Sequence, residues 1–283
     1  MFGILLTIII IIVIIMVLYL LLIMPHMIGR ADGEPFKKVL YAHRGLHDNN
    51  TDAPENSLAA FRKAVEGGYG IELDIQLSKD DIPVVFHDFI LERVCGVKGR
   101  IREYSFEELK QFTLFHTKES IPGFEEVLRL VNGKVPLIVE FKIEDMDISL
   151  CPIADKLLRE YQGEYCMESF HPQAVSWYRR NHKEIMRGQL ADAFVKKQEY
   201  TGGVYFLLQN LWFNFYAKPD FIAYNHKYCH LLSPVLCRKL YHSIMVAWTI
   251  KSEEELSRAR EFYDMFIFDS FIPAQGSRGY AEK

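Results

Sequence analysis

From residue 38 onward, short apolar runs alternate with helical patterns, and this alternation narrows the admissible folds more than any other feature of the chain. Strand-like runs fall at 38–43, 70–77, 83–87, 135–142, 164–169, 185–190, 220–224, 244–250 and 264–269. Helical patterns fall at 57–67, 105–113, 123–132, 152–161, 172–182, 203–216, 233–242 and 252–262. Strands separated by helices predict parallel pairing through right-handed crossovers. The runs number one more than a closed (β/α)8 barrel needs. Only "SKDDI" separates "IELDIQL" from "PVVFHD", which is too short for a crossover helix. Those two runs therefore predict a hairpin turning near Lys79-Asp80-Asp81, bringing His87 back level with Glu72. With the hairpin counted as an excursion from the second strand, eight strands remain. The expected fold is an α/β TIM-type (β/α)8 barrel.

Ahead of the barrel, residues 2–24 carry no charge. At a rise of ~1.5 Å per residue they span about 34 Å, enough for a bilayer core of about 30 Å. A cleaved signal peptide competes with this reading, but such peptides open on basic residues and close on a small-residue cleavage site. Here no Lys or Arg precedes the run, and it ends in "IMPHMIG". The expected organisation is a transmembrane anchor at 1–24, a linker at 25–37 and the barrel at 38–283. Arg30, Lys37 and Lys38 follow the span, so the positive-inside bias makes this a single-pass membrane protein with its barrel in the cytoplasm. A net charge of −4 leaves no electrostatic footprint for nucleic acid. The five cysteines lack CxxC spacing and read as reduced and mostly buried. No oligomeric state is assigned.

Barrels of this kind carry their chemistry at the C-terminal ends of the strands. The first ends are densely polar: His43-Arg44, then Glu72 and Asp74, His87 on the hairpin return, then Glu140 and Lys142. Residues two apart on a strand project to one face, so Glu72 with Asp74, and Glu140 with Lys142, point the same way. Three carboxylates converging in a barrel mouth would repel one another unless a cation sat among them. Oxygen ligands suit one hard divalent ion, Mg²⁺ or Ca²⁺, with Mn²⁺ also admissible. The competing reading makes one of these pairs a structural ion pair, Lys142 with Glu140 or with Glu72. His43 and His87, at neighbouring ends, can divide general acid and base work. Arg44 and Lys142 offer donors suited to a phosphate oxygen. Ser57 or Asn56 can cap the helix that follows the first loop, and Glu55, beside them, can also reach the site.

The stretches "AHRG", "PENSLAAFRKAVEGGYGIELDIQLSKDDIPVVFHD", "IPGFEEVL", "PLIVEFK", "ESFHP" and "VAWTI" resemble the glycerophosphodiester phosphodiesterases, nearest to the bacterial type without a large inserted domain. The likeness runs from about residue 38 to 270 and is densest in its first hundred residues. It implies a (β/α)8 barrel that uses a divalent cation to hydrolyse glycerophosphodiesters to glycerol 3-phosphate and an alcohol. The resemblance implies acid–base roles for His43 and His87 and metal ligation by Glu72, Asp74 and Glu140. It implies phosphate contacts for Arg44 and Lys142, and Glu55 takes the glutamate of the PENT-type motif. "FIFDSFIP" departs from the common ending, and no function is placed on Asp269. Two other activities compete: a lysophospholipase D acting on lysophospholipid-like substrates, and an inactive, membrane-tethered phosphate-binding module. "VYFLLQNLWFNFY" reads either as a barrel helix packed on the core or as an aromatic lip touching bilayer or lipid. "WYRRNHK" reads as a solvated helix end or a contact for anionic headgroups, and His116, His171 and His226 are candidates for the barrel mouth.

Overall fold

The structure, a computed structural model, describes residues 2–200 and 202–274. Met1 of the expected anchor and 275–283 of the expected barrel lie outside the described residues. Nine strands form one sheet: β1 (Tyr41–His43), β2 (Gly70–Leu77), β3 (Pro83–Val85), β4 (Leu137–Phe141), β5 (Tyr165–Ser169), β6 (Arg187–Ala191), β7 (Phe221–Asn225), β8 (Ile244–Ile250) and β9 (Met265–Phe268). All but β3 run parallel, and β1 pairs with both β2 and β9, so eight strands close a TIM-type barrel. β3 is the return arm of a hairpin on β2, with Ile75 opposite Val85 and Leu77 opposite Pro83. Phe86 N donates to Asp74 O at 3.0 Å, which continues the register and sets His87 level with Leu73, one position from the expected Glu72.

Period-two alternation divides each strand between two cores. Ile71, Leu73 and Ile75 of β2 face outward and pack under the helices with Leu137, Val139 and Phe141 of β4. Tyr41, Ile138, Cys166, Met186, Phe221, Val246 and Met265 fill the barrel from inside. At the upper end of that interior the register sets Asp74 beside Glu140 and Glu140 beside Glu168. Apolar filling therefore gives way to a carboxylate layer at the mouth.

The expected helix at 203–216 is two short ones, Gly203–Gln209 and Asn214–Ala217. The chain breaks between them at Leu211, whose φ of 58° no α-helix accommodates. The expected helix at 105–113 shortens to Phe106–Leu109, in the excursion between β3 and β4.

Among the described residues one helix, Phe2–Ile23, is long and apolar enough to cross a membrane, with a mean hydropathy of 3.5 over its best window. Most of it projects from the barrel, but its last turn is docked. Ile23 is fully buried in the outer core, Asn214 Nδ2 donates to Ile23 O at 2.9 Å, and Tyr241 Oη donates to Leu20 O at 2.8 Å. Residues 25–37 are packed rather than free. His26 and Arg187 meet the buried Asp220 at 2.7 and 3.1 Å, and Phe36 closes the barrel floor, its carbonyl accepting from Tyr41 Oη.

Candidate active site

The first βα turn shapes the site. Arg44 and Gly45 have φ values of 54° and 83°, so the chain reverses sharply as it leaves β1. A side chain on Gly45 would sit 3.0 Å from Ala60 and Phe61 atoms, which is why only glycine fits there. The reversal aims Arg44 N at Glu72 Oε2, 3.0 Å away. Ser57 caps the helix Leu58–Glu66 by accepting from Ala60 N, while Asn56 donates to Asp74 Oδ2 at 2.9 Å.

A cavity of about 120 Å³ opens at the barrel mouth, lined by His43, Arg44, Glu72, His87, Glu140 and Glu168, with Phe170 and Trp248 among its walls. Both expected histidines and two of the three expected metal ligands thus face one space. Oxygen atoms of Glu72, Asp74 and Glu140 all lie within 4.8 Å of one another, and all three residues are buried. Burial and the charges of Asp74 and Glu140 raise the Glu72 carboxyl well above its usual value. Burial also raises Glu140, against the pull of Lys142. Asp74 is held low, because His87, Lys142 and Arg44 outweigh its burial. Asp74 Oδ1 and Glu168 Oε2 are buried with no hydrogen-bond partner among the described residues. Oxygen donors this crowded and incompletely satisfied fit a hard divalent cation.

Each histidine has a carboxylate at Nδ1. His43 Nδ1 lies 2.9 Å from Asp269 Oδ2, and His87 Nδ1 lies 2.6 Å from Asp88 Oδ1. A carboxylate only accepts, so each ring carries a proton on Nδ1, which leaves Nε2 as the nitrogen available for proton transfer. Burial, joined by the charge of Arg44, lowers His43 to about 4 despite the opposing pull of Asp269. Asp269 also stands 3.3 Å from His47 Nε2.

Arg44 and Lys142 are held by acids. Arg44 NH1 donates to Glu55 Oε1 at 2.7 Å, and its Nε stands 3.5 Å from Asp74. Glu55 is gripped by Arg93 through both oxygens, at 2.6 and 3.0 Å, and by Asn49. Burial pushes the Glu55 carboxyl up, but Arg93 and Arg44 override it and bring it down to about 2. Lys142 Nζ bonds Glu140 at 2.9 Å and stands 3.6 Å from Asp74, forming the ion pair that competed with its phosphate role. It lines a different cavity from the one the histidines face, beside Gln76 and Arg102. The residues the sequence left out are Asp88, Arg93, Glu168 and Asp269. The tail of the "HD" pair and the carboxylate ending β9 were visible signals for two of them.

The sequence model of the glycerophosphoryl diester phosphodiesterase family matches residues 43–270. The chain belongs to that family. Among similar members of known sequence, a glycerophosphodiester phosphodiesterase of Bacillus altitudinis is 32% identical over 54% of this chain and 64% of its own length. One from Caldanaerobacter subterraneus is 35% identical over 47% of this chain and 55% of its own. The chain thus spans less than two thirds of these relatives. Among solved structures, an Oleispira antarctica phosphodiesterase in complex with the product sn-glycerol-3-phosphate superposes with a TM-score of 0.66 at 24% identity, covering 82% of this chain and 92% of that one. A glycerophosphodiester phosphodiesterase from Thermotoga maritima gives 0.64 at 23%, covering 81% and 93%. At those identities the structural likeness speaks for the family's barrel alone.

Proposed function

We propose that the chain is a membrane-anchored, cation-dependent glycerophosphodiester phosphodiesterase that releases glycerol 3-phosphate and an alcohol. The observation that carries this reading is the convergence of His43 and His87 on the cavity that Glu72 and Glu140 line, each ring backed by its own carboxylate. Glu72, Asp74 and Glu140 would hold the cation, which supplies Lewis-acid charge beside the phosphate when bound. Mg²⁺, Ca²⁺ and Mn²⁺ all suit these ligands. His43 Nε2, neutral near pH 7, takes the proton of the attacking hydroxyl, whether of water or of the glycerol 2-position. The bond from phosphorus to the alcohol oxygen breaks as the new one forms, and His87 delivers a proton to the departing oxygen; where the 2-hydroxyl attacks, the product of this step is a cyclic phosphate that a water then opens to glycerol 3-phosphate. Arg44, oriented by Glu55, faces a phosphate oxygen. Lys142 offsets Glu140 and Asp74 and adds positive charge behind the phosphate.

The docked last turn favours an uncleaved anchor. Removing residues up to 24 would strip Asn214 and Tyr241 of their acceptors and uncover the pocket of Ile23. The basic residues after the span support a barrel on the cytoplasmic side, which protease accessibility on intact cells tests. The chemistry is tested by assaying a panel of glycerophosphodiesters with and without chelator. His43→Ala and His87→Ala should each lower turnover by about 10²-fold or more, the worth of positioned acid–base catalysis. Variants within about tenfold of the parent would overturn the assigned roles.

A further inference from the structure

The N-terminal helix leaves the barrel in a fixed direction, and that direction decides which face of the barrel meets a bilayer. Helix Leu232–Lys239 links the C-terminal end of β7 to the N-terminal end of the parallel β8, so it descends from the barrel mouth to the floor. The last turn of the N-terminal helix runs beside it in the same sense. Tyr19 Oη lies 2.7 Å from Ser233 Oγ, and four residues on, Ile23 O accepts from Cys237 Sγ at 3.6 Å. The chain that follows keeps descending. His26 N donates to Pro219 O, just below β7, and Arg30 donates to the carbonyls of Tyr241 and His242, just below β8. Towards its N-terminus, the helix therefore rises past the mouth.

The length of the free part sets how close the bilayer comes. Residues 2–18 are all exposed. At ~1.5 Å per residue they reach about 26 Å, slightly less than a hydrocarbon core of about 30 Å. No stretch of helix is left over to hold the barrel away from the membrane. Tyr19 and Trp212, packed edge-on at 6.1 Å, then stand at the interface, where such rings concentrate. The mouth end around them is apolar. Phe206 packs on Trp212 at 5.7 Å, Leu232 precedes the Ser233 that meets Tyr19, and both are exposed, as is Val204. Met27, Ile28 and Leu240 are exposed towards the floor, so apolar exposure alone does not choose an end. The direction of the helix does.

We propose that the mouth face of the barrel lies against the bilayer, with Val204, Phe206 and Leu232 in the interface around the anchor. This rests on the uncleaved anchor proposed above and not on the chemistry of the site. The partner of this face is a lipid surface. A protein seated on the same face would leave residues 2–18 no room to enter hydrocarbon. The cavity lined by His43 and His87 opens onto the headgroup layer, while the floor that Phe36 closes faces water.

The test uses the full chain in phosphatidylcholine vesicles, with one fluorophore per molecule. Cys95 and Cys229, the two cysteines that are not fully buried, are first replaced by Ser. Leu232→Cys, Phe206→Cys or Lys239→Cys then carries the label. Leu232 and Lys239 are both exposed and lie on one face of one helix, about 10 Å apart in height. A quencher attached to the acyl chains near the headgroups should remove most of the fluorescence at positions 206 and 232 and leave position 239 bright. A quencher dissolved in the water should reverse that order. Lipid quenching at 239 equal to or stronger than at 206 and 232 overturns the orientation and leaves the anchor in place. So does an absence of lipid quenching at all three in vesicles that keep the protein through an alkaline wash. Release of the protein in that wash refutes the anchor, and the orientation with it.

Discussion

Asp269 accepts a hydrogen bond from Nδ1 of His43 at 2.9 Å, across 226 positions of sequence. The pair exists because barrel closure sets β9 beside β1. It fixes the tautomer in which His43 Nε2 is an acceptor, and it steadies the imidazolium that forms when the ring takes a proton. Asp269→Asn can donate to Nδ1 and so turn the ring to the wrong tautomer. Turnover should fall by about 10²-fold or more, with Asp269→Glu recovering part of it. The carboxylate raises His43 towards its ordinary value, against the burial and the Arg44 charge that bring it down to about 4. Its loss should therefore move the acid limb of the kcat/KM profile to lower pH. A limb that stays in place would remove Asp269 from the role.

Glu55 sits between two guanidinium groups, and its removal should be felt in binding more than in chemistry. It orients Arg44 while Arg93 and Asn49 orient Glu55. Glu55→Ala leaves Arg44 without its 2.7 Å partner and free to swing onto Asp74. A charge-assisted hydrogen bond is worth ~1.5–3 kcal/mol, so KM for a glycerophosphodiester should rise by about tenfold or more. Steady-state kinetics showing a fall confined to kcat would contradict this.

The carboxylate layer was legible because strand chemistry repeats every second residue. Glu72 with Asp74, and Glu140 with Lys142, fell on one face without any knowledge of register. The hairpin was legible from loop length alone, and the structure moves His87 by a single position. The supporting residues were not legible, for a different reason. Arg93 reaches Glu55 from a four-residue helix in the excursion after β3, and Asp269 reaches His43 only through closure of the ring. Neither carries a periodic signal. The split of 203–216 was hidden too, since apolar spacing does not reveal a left-handed residue at Leu211. Residues 25–37 looked like a spacer, and only the packing of Phe36 and His26 shows them closing the barrel floor.

The acid cluster predicts how a cation affects stability. Glu72, Glu140 and Glu168 have carboxyls raised in the folded chain, so without a cation the share of stability that depends on these three is full at low pH and is lost as pH rises through their folded values. A divalent ion must displace those protons, so it binds more tightly as pH rises. Added Mg²⁺, Ca²⁺ or Mn²⁺ should raise Tm in chelator-treated protein, and more at about pH 8 than at about pH 5.5. Differential scanning fluorimetry reads this directly. Glu72→Gln should abolish most of the increment.

The dock between the anchor and the barrel predicts a stability coupling that a flexible tether would lack. Asn214 is fully buried, and its Nδ2 donates to Ile23 O at 2.9 Å. That carbonyl ends the helix and has no intrahelical donor to turn to. Asn214→Ala leaves it buried with only the weak Cys237 thiol donor at 3.6 Å, at a cost of ~1–3 kcal/mol. For a chain of this size that corresponds to a Tm loss of about 2–6 °C in detergent. Tyr19→Phe removes only the 2.7 Å contact with Ser233 and keeps the Trp212 packing, so its loss should be smaller. Limited proteolysis supplies the second readout. Once the last turn is undocked, the chain around Met27–Arg30, now tied down by His26 and Arg30, should be cut faster in Asn214→Ala than in the parent. Equal Tm and equal cleavage rates would show that the anchor only tethers the barrel.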